Sequence, residues 1–304
     1  MTRLAGLIAA TFTPMNRDGE VTCGPIADMV NRLIADGVTG LYVCGSTGEG
    51  PSLTTEERMR VAGAFVEAAC GRIPVVVQVG HNAVAEACRL AQHAESIGAA
   101  GVSAVPPSYY GVASVGTLVA TIAAIAEAAS RTPFYYYHIP QLSGVAFDAA
   151  DIMEAASEKI PTLAGIKFSH TQIDMLIRCR AMQDGRFSTL FGVDEMLLSA
   201  WAAGCDGAVG STYNFMAARY LKMLAAFDAG RIDEARALQR KATAVTRRIV
   251  AKFGVSGLKA AMAMLGPDCG PTRLPLPQMS EADIEQLHRD LLLAGFSDAL
   301  TEAR

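Results

Sequence analysis

The chain has 304 residues, 51% of them apolar and 18% charged, with a net charge of −4. That composition supports a sizeable core without disulfides or structural metal and excludes a disordered chain. Lys and Arg are mixed with Asp and Glu along the whole length, so no basic stripe suits nucleic acid or an anionic membrane, and a small molecule is the expected partner.

The length fits one large α/β barrel or two smaller domains. The seven cysteines, at 23, 44, 70, 88, 179, 205 and 269, form no C-x-x-C pair and read as buried free thiols. The apolar run at the amino terminus is too short for a signal peptide and leads into Thr11-Phe-Thr-Pro14, so it reads as a first strand. No uncharged run approaches the roughly 20 residues of a membrane span, which makes cytoplasmic residence the expectation.

Short apolar runs recur at 7–10, 41–43, 75–79, 101–104, 134–137, 163–167, 189–191 and 207–209. Amphipathic stretches separate them, at 25–36, 54–69, 84–97, 114–130 and 148–159. Eight βα units in about 210 residues match a (β/α)8 TIM barrel, class α/β. A doubly wound sheet would carry a Gly-rich first turn, and Ala9-Ala-Thr-Phe-Thr-Pro14 is neither G-x-G-x-x-G nor a phosphate loop. From Asn214 on, strands give way to helical patterns at 216–229, 231–253, 256–265 and 280–294. The expected organisation is a barrel over 1–213 and a carboxyl-terminal helical extension over 214–304, with Pro271, Pro275 and Pro277 in an ordered connector.

In a barrel the chemistry gathers where strands end. The second strand runs into Gly45-Ser-Thr-Gly-Glu-Gly-Pro-Ser52, a small-residue turn whose backbone N–H groups, with the Ser46 and Thr47 hydroxyls, suit a carboxylate. Thr54-Thr-Glu-Glu57 fits a helix capping box. Strand five, Phe134-Tyr-Tyr-Tyr-His-Ile-Pro140, puts Tyr135 and Tyr137 on one face, either as core packing or with a phenol placed to relay a proton. His138 reads as a satisfied structural histidine.

Strand six, Leu163-Ala-Gly-Ile-Lys167, ends on Lys167, one of six lysines; the other five fall in helical or helix-end settings. A desolvated lysine at a strand end can lose its proton and attack a carbonyl, and the alternative is a structural lysine. Lowering its pKa from about 10.4 by three units takes roughly 4 kcal/mol of desolvation and neighbouring charge. After strand seven, Asp194 and Glu195 either bind hydroxyls or cap the helix over 196–203. Strand eight ends in Gly207-Ala-Val-Gly-Ser-Thr-Tyr-Asn214, with Ser211 as a donor.

Over nearly its whole length the chain resembles the N-acetylneuraminate lyase and dihydrodipicolinate synthase superfamily of pyruvate-dependent class I aldolases. Gly45-Ser-Thr-Gly-Glu49 is similar to the pyruvate-carboxylate loop of that superfamily, Tyr137 to its strand-five tyrosine and Lys167 to its Schiff-base lysine. Synthases carry an arginine where this chain has Leu142, and they prefer paired threonines at Ser46-Thr47. Phe191-Gly-Val-Asp-Glu195 and Gly210-Ser-Thr-Tyr-Asn214 resemble the sialic acid lyases.

The resemblance implies that Gly192, Asp194, Glu195 and Ser211 bind a polyol chain, with Ser169 as a further hydroxyl contact and Tyr109 as a variable one. It also implies cleavage of N-acetylneuraminate, or a closely similar 2-keto-3-deoxy sugar acid, to pyruvate and an aldose such as N-acetylmannosamine. Neither metal nor organic cofactor is expected, and the expected assembly is a homotetramer made as a dimer of dimers. Two alternatives stand beside this reading. One is a related pyruvate-dependent aldolase or synthase acting on another 2-keto acid, and the other is a pyruvate-binding regulatory protein without turnover.

Overall fold

All eight apolar runs become strands, because each is short and covered on both faces, the condition that suits parallel pairing. The computed structural model describes residues 3–296, so the ends of the two expected units, 1–2 and 297–304, lie outside the described residues. The strands are β1 (Gly6–Ala10), β2 (Gly40–Val43), β3 (Val75–Gln78), β4 (Gly101–Ala104), β5 (Phe134–His138), β6 (Leu163–Phe168), β7 (Ser188–Phe191) and β8 (Gly207–Gly210). They pair in parallel in sequence order, and β8 closes on β1, forming a TIM barrel.

Helices α1 (Ile26–Ala35), α2 (Thr55–Ala69), α3 (Val84–Ser96) and α4 (Val115–Glu127) follow the first four strands. After β5 comes a single turn, α5 (Pro140–Ser143), then α6 (Ala149–Lys159), α7 (Ile173–Ala181) and α8 (Leu197–Ala202). The capping box at the start of α2 is present: the Thr54 hydroxyl accepts from the Glu57 amide, and the Glu57 carboxylate accepts from the Thr54 amide. Helix α9 (Tyr213–Asp228) packs against β1, α10 (Ile232–Leu265) against α9, and α11 (Glu281–Leu293) against α10.

The sequence patterns at 231–253 and 256–265 suggest two helices, and the structure runs them together as α10 with a break at Gly254. There φ is 56° and ψ −140°, a backbone state open to glycine. Among the described residues, no helix is long and apolar enough to cross a membrane.

Two apolar layers result. The larger lies between the sheet and the helices and takes Leu41, Val43, Tyr136, Ile166 and Phe168. The smaller fills the barrel interior with Ile8, Tyr42, Val76, Tyr135, Tyr137 and Leu190. The period of two along each strand sorts the residues, and it places Tyr135 and Tyr137 inside together as expected. Cys44, Cys179, Cys205 and Cys269 are buried, whereas Cys23 and Cys88 are half-buried and Cys70 is exposed, so the expectation of buried thiols holds for part of the set.

Pairing within the fold reaches across long sequence distances at one buried point. Lys259 on α10 donates to the Glu49 carboxylate at 3.0 Å, with both side chains 1% exposed or less. Glu49 is in a left-handed conformation (φ 56°), and its second oxygen accepts the Arg273 amide at 2.7 Å. Arg273 in turn grips Glu57 with two bonds of 2.8 Å. The Glu57 carboxyl is held down at about 2, first by Arg273. Removing one member of a buried pair strands the other's charge, which typically costs about 3–5 kcal/mol. Lys259→Met should therefore lower the unfolding free energy from urea titration by that scale; a loss under about 1 kcal/mol would show that the pair does not hold the fold.

Candidate active site

The barrel carries an open cavity of about 310 Å³ at the carboxyl ends of its strands. At its floor is Lys167. In β6, Gly165 and Lys167 alternate inward while Ile166 and Phe168 face the helices, and the register sets Lys167 directly beside Tyr137 on β5. The Lys167 amine lies 4.1 Å from the centre of the Tyr137 ring and 3.7 Å from that of Tyr42. Only 4% of the residue is exposed. Burial pushes its pKa below the ordinary lysine value, opposed by the Tyr137 phenol and more weakly by Asp194. The amine is thereby moved toward the neutral, nucleophilic form.

Around the floor the loops gather. Ser46 and Thr47 line the cavity, and among the described residues their backbone amides donate to no protein acceptor. The Thr47 and Ser211 hydroxyls are 2.6 Å apart and so join the loops after β2 and β8. Asn214 fixes the second of these loops, donating to the carbonyls of Ser211 and of Ala10 at the end of β1. Tyr137, Ser169, Gly192, Asp194 and Glu195 line the cavity as well. Gly192 is required by close approach, since a Cβ there would meet the Ser169 hydroxyl oxygen at 2.0 Å.

Asp194 is buried, and burial raises its carboxyl pKa against the hydrogen bonds from Thr212. Both the amide and the hydroxyl of Thr212 donate to it, at 2.9 and 2.6 Å. Thr212 precedes α9, so the carboxylate serves the start of that helix; no side-chain cap bond ties it to α8, the helix that follows.

Two sequence expectations come out differently. Tyr109 is 79% exposed on the loop after β4, edge-on to Tyr110 at 5.1 Å, and does not line this cavity. His138, read as hydrogen-bonded, is 1% exposed and stacks on Phe168, yet among the described residues neither ring nitrogen has a partner. Burial holds its pKa down at about 4, so it is a neutral packing group. It faces away from the cavity because its strand neighbour Tyr137 faces in.

Sequence reasoning missed Tyr42, which its position between two outward residues of β2 could have revealed. It also missed the carboxyl-terminal contribution. Gln239 on α10 donates to the Asp194 and Glu195 carbonyls at 3.2 and 3.1 Å, and Thr243 donates to Glu195 at 2.8 Å. Further along the same helix, Thr246, Val250, Gly254 and Leu258 wall the mouth.

Comparison with known proteins shows similarity over nearly the whole chain. The dihydrodipicolinate synthetase family matches residues 3–293. A Sus scrofa protein named N-acetylneuraminate lyase is 41% identical over 286 residues, which cover 91% of this chain and 89% of that one. Among solved structures, Proteus mirabilis N-acetylneuraminate lyase superposes with a TM-score of 0.94 at 35% identity, over 97% of this chain and 100% of its own. A Bacillus anthracis dihydrodipicolinate synthase superposes at 0.90 with 28% identity, over 96% and 99%. The fold is thus common to proteins of both names, and local chemistry must separate them.

Keeping an amine at the floor opposes stability. Lys167→Met should stabilise the fold near neutral pH by on the order of 1 kcal/mol while removing the candidate nucleophile. A folded amine with a lowered pKa binds its proton less tightly than the unfolded chain does. The penalty it imposes is therefore complete below the folded pKa and gone once pH passes the unfolded value of about 10.4. Denaturant titrations should show the gain from Lys167→Met shrinking as pH rises toward that value; a destabilised variant, or a gain that ignores pH, would contradict the assignment.

Proposed function

The chain belongs to the dihydrodipicolinate synthetase family of carbon–carbon lyases, and from that membership we propose that it is an N-acetylneuraminate lyase acting through a Schiff base on Lys167. One observation carries the choice of branch. The cavity wall presents Leu142 where a synthase would need an arginine, and among the described residues Lys167 is the only cation lining the cavity. An acidic aldehyde would have nothing to pair with, whereas an uncharged aldose needs only hydrogen-bonding groups, which Asp194, Glu195 and Ser211 supply.

The chemistry follows from the positions. The neutral Lys167 amine adds to the C2 ketone of the open-chain substrate, and loss of water gives a protonated imine. The Ser46 and Thr47 amides and hydroxyls take the adjacent carboxylate. The Tyr137 phenol relays the proton leaving the C4 hydroxyl as the C3–C4 bond breaks, and the electron pair of that bond is delocalised into the imine as an enamine. The aldose departs, the enamine is protonated at C3, and hydrolysis of the imine releases pyruvate and restores Lys167.

The proposed assembly is a homotetramer, a dimer of dimers, in the cytoplasm. Tyr109 and Tyr110, 79% and 81% exposed side by side, supply an apolar surface of the kind a second copy covers.

Asp194→Ala should reduce kcat/KM for N-acetylneuraminate cleavage by the equivalent of about 1–3 kcal/mol, with imine formation from pyruvate largely retained because the carboxylate loop and Lys167 are untouched. Pyruvate release is the readout. Unaltered cleavage by the variant would leave Asp194 as a support for α9 alone. A parent that ignores N-acetylneuraminate and condenses pyruvate with aspartate semialdehyde would overturn the lyase reading.

A further inference from the structure

Forming the imine turns a neutral amine into a cation at a point from which water is excluded, and that step must be compensated locally. The groups facing Lys167 are few. From β5 comes Tyr137, which the mechanism uses for proton transfer. Beyond β7 come Asp194, with one oxygen taken twice by Thr212, and Glu195 beside it. From β2 comes Tyr42, whose ring centre is nearer to the amine than that of Tyr137, 3.7 Å against 4.1 Å.

Tyr42 is held in place. It is 2% exposed, its hydroxyl lies 3.0 Å from the Ser103 hydroxyl on β4, and its ring and that of Tyr137 meet at a steep angle, 78° between planes, with centroids 5.8 Å apart. Burial keeps the phenol neutral, outweighing the Ser103 hydrogen bond and the Arg58 charge, which favour ionisation. With its hydroxyl tied to Ser103, Tyr42 presents a face to Lys167 and does not exchange a proton with it.

We propose that Tyr42 is a further catalytic residue, whose ring face stabilises positive charge on the Lys167 nitrogen as it becomes the protonated imine. An aromatic face attracts a desolvated cation through its quadrupole and, unlike a carboxylate, cannot be neutralised by the proton the imine carries. A carboxylate in the same place would fix lysine as an ammonium ion and block attack. The ring gives a weaker preference that leaves the neutral amine accessible. The inference rests on the Schiff-base reading of Lys167.

The test is the yield of pyruvate trapped with cyanoborohydride, followed by intact mass across pH, in the parent, Tyr42→Phe and Tyr42→Leu. A fourth protein carries trifluorophenylalanine at position 42, which keeps the ring's shape and drains its face. The yield rises as the lysine loses its proton and falls as the imine loses its own. Both are cations at the same nitrogen, so losing the ring face should move both limbs to lower pH, by about half a unit to one unit.

The expected result is that Tyr42→Leu and the fluorinated protein shift together, while Tyr42→Phe keeps the parent's limb positions. A merely structural role would lower the yield with the limbs unmoved, and that outcome in Tyr42→Leu and the fluorinated protein overturns the inference. If Tyr42→Leu does not fold, the fluorinated protein decides alone. A parent that forms no adduct at any pH overturns the Schiff-base reading itself and takes the inference with it.

Discussion

Desolvation of one amine governs this structure. The nucleophilic role proposed for Lys167 requires that the barrel keep water away from it, and excluding water there means filling the interior with Tyr42, Tyr135, Tyr137 and Leu190. A side chain that prefers the charged state is thus enclosed by groups that disfavour it, and its pKa is driven down by burial first. The rest of the fold has to hold that enclosure closed at one end and open at the other, and a closed parallel barrel does this by placing every loop that follows a strand on the same face.

The loops are braced from outside by the carboxyl-terminal helices. Gln239 and Thr243 on α10 hold the turn that presents Asp194 and Glu195, while Lys259 on the same helix and Arg273 on the connector that follows it hold Glu49 in the turn after β2. Glu49 has a left-handed backbone, a conformation that tolerates a non-glycine residue only when its surroundings over-determine it. Here two donors on one carboxylate do so. The extension therefore shapes the site from behind as well as walling its mouth, and changes far along the chain reach the chemistry through these few bonds.

Much of this was legible in the sequence because it follows from local periodicity. Eight apolar runs, the alternation that turns Tyr135 and Tyr137 inward, and Lys167 at the end of a strand need no knowledge of tertiary contacts. What the sequence could not show involves partners brought together by barrel closure. Tyr42 and Lys167 are far apart along the chain and meet across the barrel, and Gln239 reaches a turn more than 40 residues earlier. Asp194 was legible as an acidic residue near a helix, but the helix it serves starts beyond β8. The expectation of a hydrogen-bonded His138 failed for a different reason: its strand position gives it an apolar neighbourhood dominated by Phe168, where stacking replaces hydrogen bonding. Tyr109 stands on a loop whose exposure no periodic signal encodes.

The account turns on a covalent bond to one nitrogen, and peptide mapping after borohydride reduction in the presence of pyruvate tests it most directly. The account predicts a reduced three-carbon adduct on Lys167 and on none of the other five lysines. An adduct on a different lysine, or none at all, would contradict it.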